Sequence, residues 1–251
     1  AGTAAWSGVF HSVAAFNNAG FSLYRDSLVG FDSDWLVLLP VMGAVIIGGL
    51  GFPVLVDLRR VRGRWRELTL HSKVTISATA ALLVLGFVLL STLEWHNPAT
   101  LGPMSVPDKA LNGAFASVTP RTAGFNSIDV AGMRPQSQLA TIGLMFIGAG
   151  SAGTSGGIKV STFAILALVI WSQLRGDTDV TGFRRRIPDS TQRRAITVAL
   201  LAVALVVSAT GFLLVSAETT IGDGLFEAVS AFGTVGLSTG ITPTLPDIDQ
   251  L

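Results

Sequence analysis

The chain has 251 residues, of which 49% are apolar and 13% charged, and its mean hydropathy is positive. This composition is typical of a membrane protein and argues against a large soluble domain. The sequence contains no cysteine, which excludes disulfides and thiolate metal sites, and its three scattered histidines form no pattern typical of a zinc or haem site.

Three uncharged runs, 35–56, 74–93 and 195–217, are long enough to cross a bilayer as helices. Arginine and lysine concentrate in two short loops, 57–73 and 175–194, and the positive-inside rule places both in the cytoplasm. Binding of nucleic acid or lipid headgroups is an alternative explanation of the arginines, but topology explains them sufficiently. We therefore expect a multi-pass protein of the cell membrane, with the lipid bilayer and no nucleic acid as its partner.

This orientation constrains the segments between the spans. Segment 94–134 must begin and end outside, and its apolar stretch 110–118 is too short to cross, so we predict a re-entrant helix followed by irregular backbone. From 135 to 174 the only charge is Lys159, and the chain must cross once. The glycine-rich segment 148–157 disfavours helix, which predicts a single helix interrupted there.

An internal repeat supports this arrangement. Segment 10–22, FHSVAAFNNAGFS, aligns without a gap with 226–238, FEAVSAFGTVGLS, and the related segment 115–126, FASVTPRTAGFN, is one residue shorter. Each combines a short apolar helix with a small-residue turn and a glycine. The copy 226–238 overlaps the apolar stretch 225–232, which we expect to dip into the membrane from outside.

These glycine turns have the composition of ion-selective pore loops. A K⁺ ion that loses its water needs rings of backbone carbonyl oxygens, and glycine permits the backbone angles that aim them at one axis. Segment 234–236 contains the Thr-Val-Gly core of K⁺-channel filters. The predicted filter residues are Asn18, Ala19, Gly20, Thr122, Ala123, Gly124, Thr234, Val235 and Gly236.

Four polar residues near these loops have competing interpretations. Arg121 would tune ion entry electrostatically or donate hydrogen bonds to loop carbonyls. Asn17 and Asn18 are expected to bond behind the filter. Glu227 is expected to begin a pore helix, where a carboxylate favours the helix dipole.

Four motifs carry a resemblance to a known family: 16–22 (FNNAGFS), 119–126 (TPRTAGFN), 156–163 (GGIKVSTF) and 230–238 (SAFGTVGLS). They resemble the pore loops and inner helices of the Trk/Ktr/HKT superfamily of potassium transporters, above all the Ktr-type membrane subunit. The resemblance spans essentially the whole chain and implies an all-α membrane protein. Its fold would repeat outer helix, pore helix with loop, and inner helix four times around a pseudo-fourfold pore.

By this comparison the chain begins at the pore helix of repeat two and ends just past the filter of repeat four, so the pore is incomplete in it. The expected units are 1–66 for the pore loop and inner helix of repeat two, 67–186 for repeat three, and 187–251 for the outer helix and pore loop of repeat four.

The resemblance also implies potassium uptake through a filter gated from below by an intramembrane loop. Lys159, at membrane depth, is either functional or simply snorkels or bonds a loop carbonyl. The implied partners are a second copy in a homodimer and a cytoplasmic nucleotide-binding regulatory subunit. K⁺ would be the transported ion, Na⁺ a coupling or stimulating ion, and no cofactor is covalently bound. The predicted gate residues are Gly148, Gly150, Ser151, Gly153, Thr154, Ser155, Gly156, Gly157 and Lys159.

Other functions fit less well. Segment 148–153 matches a dinucleotide-binding pattern, but the soluble βαβ unit that this pattern requires is missing, and Ile158 before Lys159 breaks the Walker pattern. An enzyme is therefore not expected. A membrane scaffold would not explain three glycine loops, and Arg121 alone is thin support for an anion channel. A Na⁺-permeable or unselective cation transporter of the same superfamily stays open, although glycine at all three visible filter positions favours K⁺.

Overall fold

The computed structural model describes residues 2–151, 153, 155–177, 179–183, 185–217 and 219–242, and its architecture is helical. In chain order its α-helices are α1 (Gly2–Phe16), α2 (Trp35–Leu50), α3 (Phe52–Arg60), α4 (Leu70–Glu94), α5 (Val106–Val118), α6 (Pro135–Phe146), α7 (Val160–Arg175), α8 (Asp189–Ser216) and α9 (Ile221–Phe232). Short 3-10 turns occupy Val29–Phe31 and Trp65–Glu67. The predicted helical fold is confirmed, while the antiparallel pair of β1 (Thr181–Gly182) and β2 (Arg185–Arg186) was not among the predicted elements.

Among the described residues, two single helices are long and apolar enough to cross a membrane, namely α4 and α8. Their 25 and 28 residues correspond to about 38 and 42 Å at 1.5 Å per residue, more than the hydrocarbon core of about 30 Å. Apolar side chains such as Leu85 and Leu201 remain exposed on them. The predicted span 74–93 lies within α4, and the predicted span 195–217 lies within α8 except for its last residue, Ala217, which caps the helix, so both are confirmed as helices long enough to cross.

The predicted span 35–56 is bent rather than one continuous helix, although its two parts together remain long and apolar enough to cross a membrane. The helix breaks at Gly51, and α3 leaves α2 at an angle of 91°. Gly51 has a φ of 84°, which side-chain-bearing residues rarely adopt, and Pro53 lies in the first turn of α3. Because neither residue carries a charge, hydropathy alone did not reveal the bend.

Beyond the bend, α3 is tied to the start of α4 by Asp57. Its Oδ2 accepts hydrogen bonds from the Thr69 amide (2.9 Å), the Thr69 hydroxyl (2.9 Å) and the Ser72 hydroxyl (2.7 Å). Its Oδ1 lies 2.6 Å from an Arg60 guanidinium nitrogen. One buried carboxylate thus joins two helices.

The two arginine-rich loops lie at the same end of the helix bundle, which we call the basic end. The rings of Trp65 and Phe183, one from each loop, are 6.3 Å apart. At the opposite, acidic end, Asp32, Asp108 and Asp129 line one open cavity of about 460 Å³. This separation of charge is the arrangement that the sequence predicted for the two faces of the membrane.

A second buried carboxylate, Glu94, organises the acidic end. It accepts hydrogen bonds from the Asn97 side-chain amide (2.6 Å), the Thr100 hydroxyl (2.5 Å), the Arg134 backbone amide (2.9 Å) and the Ser137 hydroxyl. The last two groups belong to the start of α6. Glu94 therefore fastens the end of α4 to the beginning of α6.

The helix that precedes each predicted filter segment packs against a neighbouring helix: α1 on α2, α5 on α4, and α9 on α8. Phe115, Phe125 and Phe226 are fully buried between them. Phe226 lies in one apolar cluster with Val235, and Phe115 and Phe125 lie in a second with Ala123. The apolar core thus lies directly behind the glycine loops.

Candidate functional site: three glycine loops and the loop beneath them

The three predicted filter segments share one backbone conformation. We call 18–20 the first loop, 122–124 the second and 234–236 the third. In each, the first and last residues have positive φ and the middle one does not; the positive values are 51° and 70° at Asn18 and Gly20, 70° and 72° at Thr122 and Gly124, and 50° and 87° at Thr234 and Gly236. Positive φ is rare outside glycine, above all for a β-branched residue such as threonine. When the sign of φ alternates along a segment, successive carbonyl groups can turn toward one side of it. This is the geometry that carbonyl ligation of a cation requires.

The first and second loops lie against each other, as do the second and third. A Cβ atom on Gly20 would lie 2.6 Å from the Ala123 carbonyl oxygen and 3.1 Å from the Gly124 Cα. A Cβ atom on Gly124 would overlap the Val235 carbonyl oxygen. Only glycine therefore fits at these two positions, and the structure brings all three predicted segments together.

The third loop is open on its other side. Among the described residues nothing lies within 4 Å of a Cβ placed on Gly236. Gly236 and Ala19 line the same open cavity of about 350 Å³. The three loops thus form three sides of a ring, and the cavity lies between the third and the first.

Side chains behind the loops connect them to one another. The Asn18 side-chain amide lies 3.3 Å from the Arg121 carbonyl oxygen and 3.4 Å from the Thr122 hydroxyl, so it bridges the first and second loops. The buried Arg121 guanidinium instead points to α4, where its nitrogens lie 3.4 Å from the carbonyl and hydroxyl oxygens of Thr79. Of the two interpretations of Arg121, the geometry favours a buttress, with a helix rather than a loop as its partner.

Glu227 does not begin a pore helix, so that prediction is wrong. Helix α9 begins at Ile221, Thr220 caps it, and Asp223 is the acidic residue of its first turn. The Glu227 carboxylate lies further along and accepts hydrogen bonds from residues that follow the third loop. The predicted start of the apolar stretch at residue 225 was four residues late, because Gly222 and Asp223 concealed the first turn.

The segment between α6 and α7 is irregular, as predicted, and backbone hydrogen bonds join its two ends. Ile147 and Ile158 form an isolated parallel bridge. The Gly148 amide donates to the Ile158 carbonyl (2.8 Å), and the Ile158 amide donates to the Phe146 carbonyl (3.2 Å). The glycine-rich loop, 148–157, therefore projects from the helix pair as a closed loop.

One side of the glycine-rich loop contacts the third loop and its helix. The Gly156 amide donates a 2.9 Å hydrogen bond to the Thr234 hydroxyl, and the Gly157 amide donates a 3.2 Å bond to the Phe232 carbonyl. A Cβ on Gly156 would lie 2.8 Å from the carbonyl oxygen of Gly233, so a larger residue would separate the two segments.

The opposite side contacts the bend between α2 and α3. The Gly150 amide donates a 2.7 Å hydrogen bond to the Gly49 carbonyl. A Cβ on Gly51 would overlap the Ser151 carbonyl oxygen, and a Cβ on Gly153 would lie 3.8 Å from the Gly51 Cα. The glycine-rich loop thus fills the space between the bend and the third loop.

Lys159, half-buried, turns back into this loop. Its ammonium group donates hydrogen bonds to the carbonyl and, at 3.3 Å, to the hydroxyl oxygen of Ser155. This is the carbonyl-bonding alternative named in the sequence analysis. In the described part of the chain no carboxylate forms an ion pair with Lys159. Thr154, also a predicted gate residue, lies outside the described residues.

No group of three or more histidine and acidic side chains in the described ranges could hold a metal ion.

Comparisons with known proteins show which family the chain resembles. The model of the family described as "TrkH: Cation transport protein" matches residues 3–251. The chain is 40% identical over 243 residues to Ktr system potassium uptake protein B of Vibrio alginolyticus, covering 95% of this chain and 53% of that protein. It is 39% identical over 250 residues to potassium/sodium uptake protein NtpJ of Enterococcus hirae, covering 98% of this chain and 55% of that protein. The chain spans about half the length of the curated relatives it matches.

A solved structure shows the same fold. The crystal structure of the potassium transporter TrkH from Vibrio parahaemolyticus superposes with a TM-score of 0.70 at 18% identity, over 92% of this chain and 51% of that one.

Proposed function

We propose that this chain, which belongs to the TrkH family of cation transport proteins, supplies three filter loops of a pore that takes up potassium across the cell membrane. The family consists of transporters, so the chain is a membrane transport protein and not an enzyme. The observation that carries the proposal is the recurrence of one strained backbone conformation at three adjacent glycine loops.

The physical basis is the replacement of water by carbonyl oxygens. A K⁺ ion between the loops would exchange its hydration shell for carbonyl groups that the alternating φ values hold on one side. The three non-glycine residues in this conformation, Asn18, Thr122 and Thr234, cost about 1–3 kcal/mol each, and such strain clusters at functional sites. A fourth loop at the open side, between Gly236 and Ala19, would complete the ring.

The ion that passes is K⁺, with a Na⁺-permeable or unselective cation pore as the second candidate. Glycine at all three filter positions favours K⁺ because each carbonyl ring is left without an added hydroxyl ligand. The second candidate has support from the relative whose name couples potassium and sodium uptake. Na⁺ as a coupling or stimulating ion belongs to the same proposal.

The glycine-rich loop is the proposed gate. It contacts the third filter loop through Thr234 and the α2–α3 bend through Gly49, so it lies in the path below the filter. Movement of α3 at the basic end would reach the loop through Gly51. A cytoplasmic nucleotide-binding regulatory subunit at that end, and a homodimer, are the partners we propose.

Glycine-to-serine variants of the complete protein, reconstituted in liposomes, test the filter. Serine at position 236 meets open space but must adopt a φ near 87°, so we expect K⁺ flux to persist while the preference for K⁺ over Na⁺ falls. Serine at position 20 would in addition lie against the Ala123 carbonyl and should reduce K⁺ flux further.

Gly211→Ser is the matched control, because Gly211 lies on the exposed surface of α8 with no atom near its Cβ position. It should leave K⁺ flux and selectivity unchanged. An unaltered K⁺/Na⁺ preference in both filter variants would remove Gly20 and Gly236 from the filter.

A further inference from the structure

Two pore helices carry a polar side chain at the same position relative to the filter. His11 in α1 lies nine residues before Gly20, and Glu227 in α9 lies nine residues before Gly236. Two residues after each glycine is a serine, Ser22 in one case and Ser238 in the other. The repeat alignment shows this correspondence of positions but not that the side chains meet.

In the structure both pairs are hydrogen-bonded. The His11 Nε2 atom lies 3.2 Å from the Ser22 hydroxyl. Its Nδ1 atom lies 2.8 Å from the Ser7 carbonyl oxygen, which can only accept, so Nδ1 carries a proton. Tyr24 stacks on the ring at 5.3 Å and fixes its plane. The Ser7 carbonyl and the Tyr24 ring thus hold the His11 side chain in place, and its other nitrogen contacts Ser22.

Glu227 makes the corresponding contact with Ser238, and its carboxylate forms a stronger hydrogen bond than the His11 ring does with Ser22. Its Oε1 accepts from the Ser238 hydroxyl at 2.5 Å and from the Thr239 amide at 3.1 Å. Its Oε2 accepts from the Thr242 hydroxyl at 3.0 Å. Hydrogen bonds to a carboxylate are roughly twice as strong as neutral ones. The segment after the third filter loop is therefore folded around one charged side chain of the helix before it.

The second loop is held differently. The residue nine positions before Gly124 is Phe115, which is apolar and fully buried, and the residue after Phe125 is Asn126 rather than serine. The Asn126 backbone is held by the segment that follows the first loop: its amide donates to the Ser27 hydroxyl at 3.1 Å, and its carbonyl accepts from the Leu28 amide at 3.0 Å. The polar contact accordingly occurs at the two loops that border the open side and not at the enclosed one.

We propose that Glu227 and His11 are positioning residues of the ion filter, which hold the outer ends of the third and first loops through Ser238 and Ser22. The proposal rests on the proposed function. The inner end of the third loop is fixed by the Val235 amide, which donates to the Ser230 carbonyl at 2.8 Å. Its outer end has no packed neighbour at Gly236 among the described residues, so the carboxylate contacts keep the Gly236 carbonyl in place.

The test uses the complete protein in liposomes, with KM and maximal flux measured separately for K⁺ and Na⁺. Glu227→Ala and Ser238→Ala should each lower the K⁺/Na⁺ preference by about tenfold, the effect expected when a hydrogen bond to a charged group is lost. Adding Ser238→Ala to Glu227→Ala should change little more, because the Ser238 contact is already lost with the carboxylate, which also bonds Thr239 and Thr242. Glu227→Gln retains an acceptor oxygen and should restore most of the preference. His11→Ala should give a smaller loss, since its contact is weaker.

Asp223→Ala is the matched control: it removes a carboxylate from the same helix, where the side chain bonds only the capping Thr220 among the described residues. It should leave ion preference unchanged. If Gly236→Ser alters the preference while Glu227→Ala and Ser238→Ala do not, the positioning role is refuted and the filter stands. If Gly236→Ser also has no effect, the filter assignment itself fails. Should Glu227→Ala not fold, the smaller Ser238→Ala change decides the question alone.

Discussion

The backbone amide of Gly156 donates a 2.9 Å hydrogen bond to the side-chain hydroxyl of Thr234. This bond joins the proposed gate to the first residue of the third filter loop. The glycine-rich loop is consequently not free to move independently of the third loop, because Thr234 stabilises the position that it takes in this structure.

Thr234→Val should remove this bond while preserving the β-branched shape. A net loss of about 1 kcal/mol would shift the population of the displaced loop by about fivefold, so K⁺ flux should rise by a similar factor. Thr234→Ser retains the hydroxyl and serves as the control. Flux from the valine variant equal to or below that of the serine variant would contradict the stabilising role.

Deleting 149–155 from the complete protein should raise K⁺ flux per reconstituted molecule. The deletion removes the contacts to Gly49 and Gly51 but retains Gly156 and Gly157, which bond the third loop and its helix. Selectivity should therefore change little. If the glycines serve only close helix packing, the deletion will lower the yield of folded protein without a gain in flux.

Lys159→Met should also increase flux, by several-fold. The substitution removes the bond from the ammonium group to the Ser155 carbonyl, which holds the glycine-rich loop, and removes a positive charge from the cation path. Lys73→Met is a close control, because Lys73 likewise bonds a backbone carbonyl, that of Arg66, but at the basic end. Lys159→Arg keeps the charge and should behave more like wild type. Equal fluxes from the Lys159→Met and Lys73→Met variants would contradict a gating role.

Cysteine labelling can test the orientation, since residues 1–251 contain no cysteine of their own. Single cysteines at the exposed positions of Arg66 and Arg185 should be protected from impermeant reagents in intact cells. Cysteines at Ser33 and Asp129, also exposed, should react. Labelling of the Arg66 position from outside would invert the topology and refute the re-entrant assignment of the three loops.

The three glycine loops were predictable because their signal is local and repeated. A glycine in a left-handed conformation cannot be replaced cheaply, so Gly20, Gly124 and Gly236 recur at matching places in the sequence. The two long helices were predictable for a similar reason, since a lipid-facing span needs about 20 apolar residues in a row.

The contacts between distant segments could not be predicted. Hydropathy treats Glu94 as an ordinary residue of an outer loop, yet it is buried because four donors from two segments replace its water. The partner of Arg121 is Thr79, on a helix 42 residues away, and no motif links the two. The 91° bend at Gly51 depends on the close approach of Ser151, about a hundred residues later in the chain.

The buried carboxylate of Glu94 also determines where the molecule can bend. By gathering the end of α4, Thr100 and the start of α6 on one side chain, it makes the acidic ends of these two helices a single rigid body. Any hinge motion of α6 relative to α4 must then pivot at this end, so the two helices can separate only at their opposite ends. The fixed point lies at the acidic end and the moving tips lie beside the glycine-rich loop, so in the proposed pore such a motion would widen the inner end and leave the three glycine loops in place.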